Sequence, residues 1–314
     1  MALEGDRPAA RLVARLSPSL RDDAGWAYGM LGFFEALDRP VAVSRLFEEA
    51  IGWLRQAGAG PIVGPMDGDT WHCYRLNVGP FDDPPFLLEP YNPPYYPALW
   101  ERQGFEVLER YFSKEVDSEA VVRHLEERHR AALAAGYRLR RIDLRRFEEE
   151  LRCIYRLSIA IFSRNFLYTE IAEREFLELY AGSKPLLDSD LVWFAHALQA
   201  PDNEPVGFLF SYPDRFQAVA AMRGRRDLLA KLRFLLHRHE AEAVDFKTLG
   251  VLPAHRRSGI AAALMYQGHR KALDKGYRLA NHCLFREGNP SGEMDGGTGR
   301  ILRRYHLYQW RGGE

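Results

Sequence analysis

At 314 residues, 46% of them apolar, the chain can bury a substantial core, and its length suggests about two domains. Basic and acidic residues balance at 43 each, so no net field recommends nucleic acid, an anionic membrane or a polyanion as partner. Cys73, Cys153 and Cys283 are odd in number and lack CxxC spacing, which argues against a disulfide framework and a zinc site and fits a reducing compartment. No apolar run approaches the ~18–20 residues of a membrane span, and the opening "MALEGDRPAARL" lacks the basic-then-apolar pattern of a signal peptide, so a cytoplasmic protein is expected.

In chain order, "GMLGFFEA" (29–36) reads as a strand, "VAVSRLFEEAIGWLRQAG" (41–58) as an amphipathic helix ending in glycine, and "PIVGPM" (61–66) as a buried strand. "PPYYPALWERQGF" (93–105) suits a short helix, and "EVLERYFSKEV" (106–116) alternates like a strand. The polar, helix-forming stretch 118–136 reads as a connector. Beyond it, 137–144 alternates, 145–164 carries helical spacing, and 169–182 is a second helix with Thr169 as N-cap candidate and Gly182 at its end. Strands 191–200 and 205–212, joined by "PDNEP", form a predicted hairpin, followed by an inserted helix over 225–239. The strand "VDFKTLGVL" (244–252), the helix 259–276, the strand 277–285, a glycine-rich segment and the strand 300–310 complete the order. This is a mixed sheet with helices on both faces, α/β or α+β, preceded by a shorter, degenerate copy of its later half.

Three basic clusters, at 138–146, 223–233 and 300–306, read first as solvated faces with acidic neighbours. "HRHE" (237–240) lacks a third ligand at convincing spacing, so no metal is expected. The proline- and aromatic-rich stretch 82–100 suits a rigid segment pinning the halves together, or the lining of an acceptor pocket.

The most informative stretch is "LGVLPAHRRSGIA" (249–261). An apolar strand stops at Pro253, and a helix opens at Gly259. The unpartnered N–H groups and positive dipole end of a helix start suit an anion, and glycine admits close backbone approach, so the site suits a pyrophosphate. In this position Arg256, Gly259 and Ala261 resemble motif A (Q/R-x-x-G-x-G/A) of the GNAT superfamily, the GCN5-related N-acetyltransferases. The likeness covers most of 137–314, with "PVGF" on the preceding strand and "EGN" after "ANHCLF"; the two halves resemble tandem GNAT-like bacterial proteins through "GFFEA" and "YNPPYY".

The resemblance implies a mostly antiparallel GNAT sheet with two splayed parallel strands, holding acetyl-CoA or another acyl-CoA as donor for N-acyl transfer. It implies cofactor contacts at Leu249, Gly250, Val251, Arg256, Arg257, Ser258, Gly259, Ile260, Ala261 and Asn289. It divides the chain into a partial unit (1–117), a helical connector (118–136) and a GNAT domain (137–314). The first half departs from the family: "ALDRPVAV" (36–43) stands where a phosphate loop belongs, and there is no room for the opening strand and helices, so its sheet is completed by the other half or by another subunit. Glycines and a proline in "NPSGEMDGGTG" (289–299) disfavour the last helix.

Transfer to an amine needs a base and an acid flanking the gap. Asp245 and Lys247, in line on one strand face, are the candidates for base work, with Glu287 as a second base candidate; Tyr305, Tyr308 and Cys283 are the acid candidates. A small-molecule amine is the expected acceptor, with a homodimer open and neither nucleic acid nor a membrane expected. A non-catalytic acyl-CoA sensor, and a donor carried on tRNA or a carrier protein, remain alternatives.

Overall fold

The structure is a computed structural model that describes residues 1–199 and 204–311. Its elements are β1 (Ala2–Glu4), β2 (Arg7–Arg21), β3 (Ala27–Ala36), α1 (Pro40–Gln56), β4 (Ala59–Gly64), β5 (Leu76–Gly79), α2 (Tyr96–Glu101) and β6 (Phe105–Asp117), followed by α3 (Ser118–Ala134). Then come β7 (Tyr137–Arg141), α4 (Phe147–Phe162), α5 (Glu173–Ala181), β8 (Val192–Ala197), β9 (Pro205–Pro213), α6 (Phe216–Ala221) and α7 (Leu228–His237). β10 (Ala243–Val251), α8 (Ile260–Asp274), β11 (Leu279–Arg286) and β12 (Arg300–Trp310) end the chain.

The strands form one sheet in the order β1-β2-β3-β4-β12-β6-β11-β10-β9-β8-β7, with β5 paired to β12. Only β3–β4 and β10–β11 are parallel among the described pairs, so the sheet is mixed and mostly antiparallel. The two halves exchange strands. β6, from the first half, lies between β11 and β12, and β12, from the second, pairs β4 and β6. The first half's sheet is thus completed by the other half of the same chain.

α8 and α3 cover one face of the second half's strands, with Val121, Leu125, Leu264 and Met265 against Val244, Phe246 and Ala280. α4 and α5 cover the other, burying Leu151, Ile154 and Phe176 against Phe194, Phe208 and Phe210. α3, which joins β6 to β7, is therefore also packed into the core; Asp117 caps it, accepting from Ala120 N–H at 3.0 Å. It occupies the layer beside α8, while 289–299 forms only a short 3-10 turn, Pro290–Glu293. α8 lies close to the sheet because Gly268 is bare there: a Cβ would stand 2.5 Å from Leu209.

Two expectations need correction. α5 begins at Glu173 with Ala172 in the cap position, so Thr169 does not cap it. The fifteen-residue β2 precedes β3, so the first half has an opening strand after all. Most of the turn "PDNEP" lies outside the described residues.

Candidate active site

β10 and β11 run in parallel register from Ala243 opposite Leu279 to Phe246 opposite His282, where the ladder stops. β10 then follows β9 to Val251, and β11 follows β6 to Arg286. Both strands are irregular at the parting. The register skips Lys247 on β10, and Cys283 and Leu284 on β11, with Leu284 at a φ of 42°. Leu252 N–H donates to Val206 O at 2.8 Å, so by alternation Gly250 and Thr248 face β9, while Leu249 and Val251 present their amides to the gap.

The turn after β10 ends this gap. Arg257 and Gly259 are left-handed, at φ of 72° and 83°. Alternating backbone hand of this kind makes an anion-binding concavity. Among the described residues the N–H groups of Arg257, Ser258, Gly259, Ala261 and Ala262 donate no hydrogen bond. Ser258 supports the turn by donating to His255 O at 2.7 Å. The Arg256 guanidinium donates to Ile161 O at 3.1 Å and Val251 O at 3.4 Å, tying the turn to the end of α4.

On the face shared with α4, the parting of the strands carries a buried polar cluster. Asp245 is fully buried; its Oδ1 accepts from Asn281 at 2.8 Å, and its Oδ2 has no partner among the described residues. Burial, and then the neighbouring Asp214, push its carboxyl well above the usual range. Lys247 keeps some contact with solvent, yet desolvation lowers its ammonium's pKa. Its electrostatic neighbours are Cys283, Arg75, Asp245 and Cys73. Burial and the Asp245 charge raise the Cys283 thiol well above its ordinary value, so it is a neutral thiol rather than a nucleophile.

The first half supplies the cover. The strap over 82–92 crosses the cluster, where Leu87 N–H donates to Asp214 at 3.0 Å and Tyr212 donates to Leu87 O at 3.3 Å. Glu89, on that strap, is paired with buried Arg303 at 3.0 Å and accepts from the Tyr305 hydroxyl, which also bonds Ser113 at 3.0 Å. Burial raises the Glu89 carboxyl despite these partners. The segment 82–100 therefore both pins the halves and lines the site. Beside it, Arg75 lies between Tyr74 and Tyr111, its guanidinium 3.8 Å and 4.1 Å from the ring centroids, and two of its nitrogens are buried without a partner among the described residues.

The first half's own parallel pair also parts, after Met30 opposite Val63, but there the gap is closed. Met66 N–H donates to Leu31 O at 2.8 Å, the Asp67 carboxylate accepts from Phe33 N–H, and a Cβ on Gly32 would overlap Met66 O.

Of the predicted acid–base residues, the structure brings Asp245 and Tyr305 to this cluster through Glu89, a charge that bears on both. Tyr308 is elsewhere, packed against Trp100 in the first half's core and bonded to Glu101 at 3.2 Å. Glu287 is exposed beyond the end of β11, with His306 as its electrostatic partner. Asn289 is occupied in its own turn, accepting from Ser291 N–H at 3.0 Å. Gly250 turns its amide to β9, and its bareness makes room for Ile161 of α4, which a Cβ there would meet at 3.0 Å. Glu89, Asp214 and Tyr212 escape a reading of the sequence, since Asp82 and Asp83 flank the apolar stretch 84–88 as Glu89 does and nothing singles Glu89 out. Asp69, His72 and Glu175 bring one potential ligand atom each within 4.8 Å of one another, with His72 held to Asp69 at 2.8 Å. His237 of "HRHE" pairs with Glu240 instead.

No family model matches the chain. Over 227 residues, 72% of this chain, it is 27% identical to a bacterial ceramide synthase from Caulobacter vibrioides. Over 229 residues, 71% of this chain, it is 24% identical to protein YghO of Escherichia coli. The chain spans 58% and 57% of the length of these two relatives. Among solved structures it resembles the GCN5-related glucosamine N-acetyltransferase region of a fungal multi-domain GH3 beta-N-acetylglucosaminidase. That match has a TM-score of 0.53 and 14% identity, over 97% of this chain and 32% of the other. The chain has the GNAT fold. A GCN5-related N-acetyltransferase from Sphaerobacter thermophilus is similar too, at a TM-score of 0.51 and 13% identity over 96% of this chain and 75% of that one. In this fold β10 and β11 are the strands that part, and the turn 253–259 lies where the sequence resembles motif A.

Proposed function

We propose that the protein transfers an acyl group from a coenzyme A thioester to an amine, with both substrates bound together. The observation that carries this reading is the parting of β10 and β11, with free strand amides along one side, free helix-start amides at its end and the buried, half-satisfied carboxyl of Asp245 at its apex. These groups fit the carrier: a pyrophosphate needs the concave run of N–H donors from Arg257 to Ala262, and a pantetheine amide needs partners such as Leu249 and Val251.

A bound thioester supplies an activated acyl carbon and a sulfur leaving group. Asp245 takes the proton that the amine must lose, since burial raises its proton affinity toward the working range of a base. Lys247, whose ammonium is made easier to deprotonate by desolvation, gives a proton to the departing sulfur. The amine nitrogen forms the new bond to the acyl carbon as the carbon–sulfur bond breaks, and one proton is taken up for one released. The strap over 82–92 covers the Asp245 side of this space, held there by Leu87 N–H on Asp214.

Ceramides are N-acylated long-chain amines, and the likeness to a bacterial ceramide synthase supports an apolar-tailed amine over a small hydrophilic one. Calorimetric titration with acetyl-CoA and palmitoyl-CoA, followed by thiol release in a panel of hydrophilic and long-chain amines, tests the reading. Absence of binding up to millimolar concentration overturns it. Binding without thiol release in every amine makes the chain a sensor instead.

A further inference from the structure

The insertion between β9 and β10 contains a helix whose polarity is inverted. α7 buries Ala230 and partly buries Phe234, while Leu228, Leu229, Leu232, Leu235 and Leu236 are 84%, 50%, 53%, 50% and 67% exposed. At about 100° per residue these five leucines fall within an arc of about 120° on the side opposite Ala230 and Phe234. Lys231 borders the arc on one side and Arg233 on the other. A folded chain in water does not ordinarily leave five leucines on one outward face, so the face is built to be covered.

The charge around it identifies what covers it. Residues 223–239 hold six basic side chains, Arg223, Arg225, Arg226, Lys231, Arg233 and Arg238, against one acid, Asp227. Asp227 is used twice locally, capping the helix through Ala230 N–H at 2.9 Å and pairing Arg225 at 2.6 Å. Arg223, Arg226, Lys231 and Arg233 make no ion pair among the described residues. The clusters at 138–146 and 300–306 differ, since Arg140, Arg141, Arg145, Arg146, Arg300 and Arg303 are paired with carboxylates. A second copy of this chain would bring the same uncompensated cations onto themselves. An anionic surface with an apolar interior complements both features at once.

We propose that α7 docks the protein on the surface of an anionic phospholipid bilayer, its leucine face inserted among the acyl chains and its arginines and Lys231 at the headgroups. The insertion is rooted beside the active site: Asp214 accepts from Phe216 N–H, at the start of α6, and from Leu87 N–H on the strap, each at 3.0 Å. Leu88 on that strap is itself 63% exposed. Docking does not depend on the acyltransferase reading, and its test does not measure transfer.

The full chain is floated with vesicles of phosphatidylglycerol and phosphatidylcholine in equal parts, and with phosphatidylcholine alone. The expected result is binding at least about tenfold stronger to the anionic vesicles, weakening as salt rises. The triple variant Leu228→Ser/Leu232→Ser/Leu236→Ser alters only exposed side chains and is expected to keep the wild-type circular dichroism and melting temperature while losing at least about tenfold in vesicle binding. Arg226→Glu/Lys231→Glu is expected to lose the preference for anionic lipid. Leu232→Trp is expected to blue-shift its emission with vesicles and to be quenched by brominated acyl chains. Failure of wild type to float with either vesicle overturns the proposal, as does undiminished binding by the folded triple variant. A wild-type dimer that the triple variant converts to monomer, without vesicle binding, overturns it in favour of a second copy on this face.

Discussion

Acidification is expected to unlock the face of the sheet behind the candidate active site, through two buried histidines. His269 Nε2 and His282 Nε2 lie 2.9 Å apart, and His269 Nδ1 is 3.0 Å from the Ser118 hydroxyl. Burial pushes His282 down from 6.5 to about 4, with Lys114 lowering it further and Asp295 opposing, and it holds His269 well below its usual value too. Because the folded-state pKa is depressed, the stabilising contribution is complete above about pH 6.5 and is lost as the pH falls toward about 4. Taking 6.5 and about 4 for the unfolded and folded chains, the linkage relation gives a loss of about 2 kcal/mol at pH 5 from His282 alone. The assay is denaturant unfolding of wild type and His282→Gln at about pH 7.5 and about pH 5, where other titrating groups cancel in the difference. Wild type should lose about 2 kcal/mol more than the variant over that interval. Equal losses in the two proteins would refute the reasoning. The effect reaches the site because Phe246 stacks on His269, 4.1 Å between ring centroids, and directly precedes Lys247.

Asp245→Asn keeps the acceptor for Asn281 but removes the base, so kcat for thiol release should fall about 10²–10⁴-fold with KM little changed; a fall in binding alone would assign Asp245 to structure. Gly259→Val places a branched side chain at a φ of 83° with its Cβ 3.3 Å from Arg128 O. It should cost about 1–2 kcal/mol in stability and weaken CoA binding more than about tenfold, the latter read by calorimetry against a chain that still melts cooperatively. Glu89→Ala leaves the Arg303 side chain, 3% exposed, without its carboxylate and should destabilise by about 3–5 kcal/mol, whereas Glu89→Leu/Arg303→Met should recover most of that in thermal unfolding.

The legible parts of this chain are those where one local rule suffices. β12 is found over 300–310 from its alternation alone, and α8 follows from Gly259 at one end and Gly276 beyond the other. The turn 253–259 combines a strand stop, a left-handed glycine and a small-residue helix start, which is why Arg257 to Ala261 stand out in the sequence. β2 escapes because it is largely exposed, so its side chains alternate only weakly between environments. Pairing partners are also invisible: alternation marks 105–117 as a strand without saying that its neighbours are β11 and β12. Charge counting hides two opposite cases within the basic clusters. Arg303 is buried on Glu89, while Arg226 and Lys231 stand free beside exposed leucines, and a balanced total of 43 and 43 resembles neither.

The strand exchange decides to which half the site belongs. β11 is one wall of the gap, and beyond the point where it leaves β10 its only ladder partner among the described strands is β6, from residues 105–117. Remove the first half and that wall loses its hydrogen bonds as well as the strap that carries Glu89 and Leu87. Conversely, β4 has β12 on its open side, so the first half without the second would present an unpaired edge. The first half's own gap is filled by Met66 and Asp67, and the segment following them packs Trp71 against the second half, its indole N–H donating to Thr169 O at 2.8 Å. The first half, whose own gap is filled, thus contributes a loop and a strap to the far side of the second half's gap, and its hydrogen bonds hold one wall of that gap.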